Sequence, residues 1–405
     1  MFCTVLLPSP CGPGPVASVS SNCGVRGRSE HHVPHNSIQN YVDHQFEHNV
    51  LDIRGVVTVA CGQIRNSLPQ PLHKLVYLWE MLACAGFHYS MTNPTSHYET
   101  IKKTLLSNKH SYCEKPLSIS FEQGKELFDV ANEKNLYLGN APDTFLGGGG
   151  QLTKQIIDSG EVGEIKLGNF IFAFPGVQSW HPNPEPWFQE GGGPVLDMGP
   201  YFFTMLVNLL GSAKSVRAQA TTVSEYREIG EGPKKGNKFK VEIPTSYMVV
   251  IEFNNKTKIQ GFISFDVINH QRNHMEFYGT KGSIIGPDPN MFGGPILVSL
   301  REGGEWKEHS TENMKLGKTN IFNQSGRSNE APTNANYRGV GLSEMIYSIE
   351  NNKKHRCNGE LALHVLDIID STILAAKTSK QTKMRTSCEK PRYFSEEEIS
   401  SLIKS

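Results

Sequence analysis

The chain has 405 residues, of which 38% are hydrophobic and 20% charged, and its 40 basic and 40 acidic residues cancel. A length beyond most single domains predicts two of them, and the balanced charge leaves no electrostatic footprint for nucleic acid or an anionic membrane. No apolar run approaches the roughly 20 residues that a spanning helix needs.

Residues 1–35 are rich in Pro, Gly, Ser, Cys and His without sustained periodicity, which predicts an irregular N-terminal extension. The opening MFCTVLLPSPCGPGP has no basic n-region, and Pro8 breaks its apolar stretch, so it is not read as a signal peptide. Eight cysteines are scattered without a CxxC pair, the pattern of a cytoplasmic protein with free thiols rather than of a disulfide scaffold or zinc site. His31, His32, His35, His44 and His48 crowd together, and His44 and His48 stand at i, i+4, where a metal site could begin. No cysteine or paired carboxylate completes that set, so no metal is expected.

From 36 to about 143 the pattern is α/β. VVTVAC (56–61) has the composition of a buried parallel strand, whereas the stretch LPQPLHKLVYLWEMLACAGFHYS fits helix or strand. Ser96 with Glu99 forms a capping box for a helix presenting Tyr98, Ile101, Leu105 and Leu106 on one face. A short strand follows at His110–Cys113. Next comes a helix from about Ser120 burying Phe121, Leu127, Phe128, Val130 and Ala131, and then a strand through LYLGNAP (136–142). This alternation predicts a Rossmann-like, doubly wound parallel sheet.

From 144 to 380 the style changes. A helix over about 147–159 ends at Ser159-Gly160, and the alternating segments EIKLGNFIFAF, SVRAQATTV, SYMVVIEFN, TKIQGFISFDV and HMEFYGTKGSII read as strands. A long helix over 359–378 carries Leu361, Val365, Leu366, Ile368, Ile369, Ile373 and Leu374. An α+β domain with a large, mostly antiparallel open sheet is expected, followed by a polar tail (381–405) with a short acidic helix.

Two Glu-Lys-Pro tripeptides occur, in YCEKPLS (112–118) and SCEKPRY (387–393). The second lies among Lys383, Arg385, Lys390 and Arg392 and reads as a solvated basic turn. The first becomes chemically interesting beside GGGPVLDMGPYFF (191–203). There Gly191–Gly193 make a turn, Pro200 is placed in the first turn of a helix, and Asp197 and Tyr201 stand at i, i+4. Spacing alone favours an N-cap aspartate and a core tyrosine. The chemical alternative is that Lys115 favours the phenolate of Tyr201, which then exchanges a proton with a substrate hydroxyl or carbonyl while Asp197 orients the group.

TNPTSHYETIKKTLLSNKHSYCEKPLS, NLYLGNAPDTFLGGG, GEIKLGNFIFAFPG with SWHPNPEPWF, and GGGPVLDMGPYFFTMLVNLLG resemble the glucose–fructose oxidoreductase/inositol dehydrogenase/rhizopine-catabolism (Gfo/Idh/MocA) family. So do MEFYGTKGSIIGPDPNMFGGP and YRGVGLSEMIYSIENNKKHRCNGELALHVLDII, and the resemblance covers about 89–380. It implies an NAD- or NADP-dependent oxidoreductase acting on a CH–OH or carbonyl carbon of a sugar, inositol or similar polyol. It also implies a homodimer or homotetramer formed through the C-terminal sheet. Lys115 matches the family's lysine beside the nicotinamide, with Glu114 before it. Asp197, Gly199 and Tyr201 match the family's Asp-x-Gly-x-His helix, in a tyrosine variant that the family contains. Asn93, Pro94 and His97 match the loop lining the nicotinamide ribose, and Trp180 and His181 fall where substrate contacts are expected.

The resemblance breaks at the start. The glycine fingerprint that lets backbone amides meet a pyrophosphate should lie near His35-Asn36-Ser37-Ile38. NSIQNY echoes the family's loop, with Asn36 in place, but lacks the glycines. Gly12-x-Gly14-x-x-Ala17 is a poor substitute because Pro13 and Pro15 remove amide donors. Gly62-Gln63 replaces the acidic residue expected for the ribose. Either the N-terminal third is altered, or a diverged loop binds the cofactor. A non-catalytic binding or oligomeric protein that has lost that loop is the alternative function.

Overall fold

The computed structural model describes residues 87–90, 93–320 and 335–402, all within one compact unit, Gln45–Ser405. The first strand candidate (56–61), Asn36, the two glycine-loop candidates and the histidine-rich stretch lie outside the described residues.

Three short strands form a parallel sheet in the order β1 (Phe87–Ser90), β2 (His110–Cys113), β3 (Leu138–Asn140), with Ser90 paired to Cys113 and Cys113 to Asn140. The connecting helices are α1 (Pro94–Leu106) and α2 (Phe121–Glu133). α2 begins as its sequence dictates, with the Ser120 hydroxyl accepting the Gln123 N–H. α1 does not. Pro94, whose ring pre-sets a helical φ, occupies the first turn with Asn93 as N-cap, so the helix starts ahead of the expected Ser96–Glu99 box. Ile101 and Leu105 are buried against Leu127, Ala131 and Leu138, while Leu106 points to solvent, contrary to the expected apolar face.

The rest of the chain builds a nine-stranded sheet. Its strands are β4 (Ile165–Ala173), β5 (Ala213–Thr221), β8 (Ser246–Phe253), β9 (Lys258–Ser264), β10 (Met275–Gly279), β11 (Ser283–Gly286), β12 (Ile296–Ser299), β13 (Lys307–His309) and β14 (Thr382–Lys383). A separate hairpin pairs β6 (Tyr226–Glu228) with β7 (Lys238–Lys240). The order β13-β12-β11-β10-β4-β9-β8-β5-β14 is antiparallel throughout except where β4 and β9 run parallel. At that central pair Phe170 faces Gly261, and a Cβ on Gly261 would come within 2.0 Å of the Phe170 ring. The bare backbone therefore lets Phe170 lie across it and reach Phe202 and Phe203 on α4 (Pro194–Leu210).

One face of this sheet is covered by α3 (Gly148–Asp158), α4 and α6 (Gly359–Thr378). α6 packs against β5 and α4 on one side and against α2 and β3 on the other, so a single helix seals both sheets. It buries Leu361, Val365, Leu366, Ile368 and Ile369, as the periodicity requires, but Leu374 is exposed. α5 (Val340–Glu350), which the periodicity did not reveal, packs on β3 and on the terminal helix α7 (Glu396–Leu402). Among the described residues no helix is long and apolar enough to cross a membrane.

The tail is a partly exposed turn, as expected, but its cations are paired. Lys390 reaches Asp158 at 2.6 Å, the Tyr393 hydroxyl donates to the same carboxylate, and the Cys388 amide is held by Ser212. Arg385 pairs with the fully buried Asp367, and its guanidinium lies 3.6 Å from the Phe121 ring centroid. Charges that look solvated in sequence are strapped to the core by acids distant in the chain.

Two buried histidines make stability pH-dependent. Burial pushes His355 down to about 3 and His364, whose Nε2 accepts the Ala213 amide, down to about 4. The unfolded chain takes up these protons near pH 6.5, well above the folded values, so between the two it binds more protons and stability falls as pH drops. The unfolding free energy from urea titration is expected to decline below pH 6.5, by about 1.4 kcal/mol per pH unit for each histidine that must charge. His355→Leu should flatten that decline by about one proton, and an unchanged slope would show that His355 is not held neutral.

Candidate functional site

β2 runs directly into Glu114-Lys115-Pro116, at the carboxyl end of the parallel sheet. The Glu114 amide donates to the Ser90 carbonyl (3.0 Å), and its own carbonyl accepts the Asn140 side-chain amide (2.9 Å), which fixes the strand exit to both neighbours. The Lys115–Pro116 peptide is cis. The Pro116 carbonyl lies 2.7 Å from Nδ1 of His97, which is fully buried on α1. His97 therefore braces this loop from behind.

From that exit the Lys115 side chain crosses to α4. Its ammonium donates to both the backbone carbonyl and the Oδ1 of Asp197, each at 2.7 Å, and stands 5.3 Å from the centroid of the Tyr201 ring. Burial alone would lower its pKa, but Asp197, Tyr201 and Glu114 outweigh that and hold it above the ordinary lysine value. The lysine is charged at any physiological pH.

α4 owes its position to the glycine turn. Gly193 caps the helix at φ 94°, a left-handed geometry that side chains resist, and its amide donates to Trp187 O at 2.8 Å. Pro194, not Pro200, occupies the first turn. Asp197 thus lies within the first turn and Tyr201 one turn further in. Pro200 sits inside the helix, where it removes the amide that would bond the Leu196 carbonyl.

Sequence reasoning missed a second cation, Arg338. Its Nη2 donates to the carbonyl (3.0 Å) and side-chain oxygen (2.6 Å) of Asn290. Burial works against its charge, but Tyr201, Asp143 and Glu114 raise its pKa above the usual value. Asp143 is itself buried, and its Oδ2 accepts the amides of Gly339 (2.8 Å) and Gly341 (3.0 Å), which anchors the start of α5 directly behind the arginine. No spacing rule joins residues so far apart in the chain.

The other expected site residues are less tightly grouped. Asn93 is exposed at the head of α1 with extended backbone, and its side chain is not spent on the cap, while Pro94 follows as the first helical residue. Trp180 and His181 lie on the loop between β4 and α4, where His181 stacks 4.5 Å from Trp187 and accepts the Asn183 amide through Nδ1. Burial lowers the His181 pKa, which leaves a neutral imidazole at pH 7. The side chain of Trp180 is partly exposed above it.

Asn93, Glu114 and Lys115 lie beyond the carboxyl ends of β1 and β2, the edge of an open parallel sheet where dinucleotides bind. Their character fits the nicotinamide end of NAD or NADP, and the segment that would meet the pyrophosphate lies outside the described residues.

Comparison with known proteins gives matches in both parts of the described chain. Residues 89–141 match the oxidoreductase family with an NAD-binding Rossmann fold, and residues 151–285 match the GFO/IDH/MocA C-terminal domain. An uncharacterized oxidoreductase of Schizosaccharomyces pombe is 31% identical over 205 residues, which is 46% of this chain and 53% of that protein. Levoglucosan dehydrogenase of Pseudarthrobacter phenanthrenivorans is 28% identical over 212 residues, 47% of this chain and 52% of that one. The chain thus spans about half the length of the curated relatives it matches. The solved structure of a levoglucosan dehydrogenase with NADH and L-sorbose shares the fold, with a TM-score of 0.60 and 19% identity over 74% of this chain and 80% of that one.

Proposed function

We propose that this chain, whose residues 89–141 and 151–285 match the GFO/IDH/MocA oxidoreductase family and its C-terminal domain, transfers hydride between NAD or NADP and a CH–OH or carbonyl carbon of a sugar, inositol or similar polyol. The observation that carries this reading is the convergence of Lys115, Asp197 and Tyr201 from two separate elements at the carboxyl edge of the parallel sheet. The names of the relatives, oxidoreductases and sugar dehydrogenases, point the same way and lend nothing to the non-catalytic alternative.

Bound NAD(P) supplies the hydride acceptor or donor; the chain supplies the rest. The Tyr201 phenol takes the proton of the reacting hydroxyl in oxidation and returns it to the carbonyl in reduction. Lys115 stabilises negative charge on the phenol and on the reacting oxygen. Its permanent charge suits this electrostatic role, because an ammonium held by a carboxylate and a backbone carbonyl needs no reorganisation as charge develops. Asp197 fixes where that ammonium points. Asn93, Pro94 and Glu114 border the cofactor, and Trp180 and His181 offer an aromatic edge to a polyhydroxylated ring.

The face of the large sheet away from α4 and α6 leaves Leu167, Met248 and Val250 exposed beside Arg217 and Gln260. A second copy of the chain is the proposed occupant, giving a homodimer or homotetramer.

The test is a polyol screen that follows nicotinamide absorbance with both cofactors in both directions, with Tyr201→Phe as the blank. At least one sugar or inositol should turn over with the wild type and be slowed about a hundredfold or more by Tyr201→Phe. Turnover that survives Tyr201→Phe unchanged would remove the tyrosine from the chemistry.

A further inference from the structure

We propose that Asn140 and His97 are positioning residues of the site. From two different elements they hold the carbonyls on either side of Lys115, and so aim its ammonium at Asp197 and the Tyr201 ring. This deepens the reading of Lys115 as the cation that serves the reaction, and rests on it.

Asn140 is the last residue of β3. Its side-chain amide donates to the Glu114 carbonyl (2.9 Å) and to the Cys113 carbonyl (3.1 Å). The Cys113 carbonyl also accepts the Ala141 amide (2.9 Å), a bond that survives a change of the Asn140 side chain. The contact particular to Asn140 is therefore with the peptide that leads into Lys115. The other end of that peptide, the Lys115 amide, donates to the Glu114 carboxylate (3.3 Å). On the far side the Pro116 carbonyl meets Nδ1 of His97 at 2.7 Å, and because a carbonyl only accepts, Nδ1 carries the proton. Both holders are themselves fixed. Asn140 pairs with Cys113 across the sheet, and its backbone amide donates to the Cys357 carbonyl (3.0 Å), while His97 is fully buried on α1.

Buried polar side chains ordinarily find partners, so satisfaction is not what singles these two out. The second copy of the motif supplies the contrast. Cys388-Glu389-Lys390-Pro391 repeats Cys113-Glu114-Lys115-Pro116 residue for residue, yet among the described residues no side chain donates to the Glu389 or Pro391 carbonyl. There the lysine has only to reach Asp158 at the surface. The bracket is thus no requirement of the tetrapeptide; it occurs where the lysine must meet two partners on another element. Packing does not replace it. A cavity of about 10 Å³ lies against Pro116 and Leu117, bordered by Asn140, Pro200 and Thr204, so the loop is not wedged from behind. Lysine carries its charge on a flexible four-carbon stem, along which a small rotation of the backbone is multiplied. The direction of the Lys115 ammonium therefore depends on its backbone being held on both sides.

The first test reads Lys115 itself and needs neither cofactor nor substrate, so it stands apart from the success or failure of the oxidoreductase reading. Lysine acetylation by acetic anhydride, followed peptide by peptide by mass spectrometry, is compared in the wild type, Asn140→Ala, His97→Leu and His97→Asn. The last keeps a donor near the Nδ1 position. Lys115 should be labelled about three- to tenfold faster in Asn140→Ala and in His97→Leu, because its protecting contact with Asp197 is loosened, and should return toward the wild-type rate in His97→Asn. Lys154, buried on α3, reports general loosening and should keep its rate in every variant. If Asn140→Ala does not fold, Asn140→Asp, the isostere without the donor, carries the same comparison. With a substrate from the polyol screen, Asn140→Ala should also lower kcat about tenfold while KM changes little. A wild-type rate at Lys115 in any folded variant lacking the donor, or faster labelling of Lys115 and Lys154 together, would overturn the proposal. So would a wild-type kcat in Asn140→Ala.

Discussion

Lys115→Ala lowers kcat about a thousandfold, while Lys390→Ala, the same change in the second Glu-Lys-Pro, leaves kcat where it was. The two lysines share a local sequence and differ in everything around them. Lys115 sits between a carboxylate, a backbone carbonyl and a phenol, whereas Lys390 closes on Asp158 at the surface, and its removal costs at most the ~1 kcal/mol of an exposed pair. Losing Lys115 removes charge stabilisation from the reacting oxygen and from Tyr201 together, and leaves Asp197 a lone carboxylate where negative charge must develop. KM should change far less than kcat, because the interaction strengthens as charge appears rather than on binding. Steady-state kinetics of both variants with a substrate from the screen decide the matter. Equal losses at Lys115 and Lys390 would refute the assignment of the first tripeptide to the site.

The second large effect is on stability. Arg356→Leu should lower the unfolding free energy by about 3–5 kcal/mol, the cost of breaking a buried ion pair. Its guanidinium is paired with Glu344 and, at 2.9 Å, with Glu398, donates to the Arg392 and Tyr393 carbonyls, and stacks 3.8 Å from the centroid of Phe394. Burial already pushes the Glu344 carboxyl above its ordinary pKa, and the arginine is the main force opposing that. Without it Glu344 takes up a proton or loses its place, and the strap carrying α7 loosens from α5. Glu344→Gln in the Arg356→Leu background should recover part of the loss, because the stranded charge then disappears. Urea titration of the single and double variants measures both. A single variant within about 0.5 kcal/mol of wild type would mean that the network is ornamental.

How much of this could be read from the chain depends on where each signal is stored. α2 and α6 were legible because period and burial agree over more than three turns, and in the structure Ser120 and Asn358 cap them by accepting first-turn amides. The start of α4 was misread because two prolines compete for the first turn, and only the left-handed Gly193 reveals that Pro194 holds it. Leu106 and Leu374 fit the apolar period yet lie exposed, since the period specifies a face but not how far the neighbouring element extends over it. The order of the nine strands, with its parallel β4–β9 pair, is a long-range property with no local mark. The same holds for the site. Lys115, Asp197 and Tyr201 were visible as motifs, and the structure brings them together. Arg338 was not visible, because Asn290 and Asp143 hold it and the turn after it from two other places in the chain.

Whether this chain holds a nicotinamide cofactor at all is the most direct question, and titrating the purified protein with NADH and with NADPH answers it. Nicotinamide fluorescence should rise saturably with at least one of them at micromolar concentrations, showing that the chain builds a dinucleotide site in spite of its missing glycine fingerprint. Failure of both to bind would contradict the account and leave Lys115, Asp197 and Tyr201 assembled without the partner their chemistry requires.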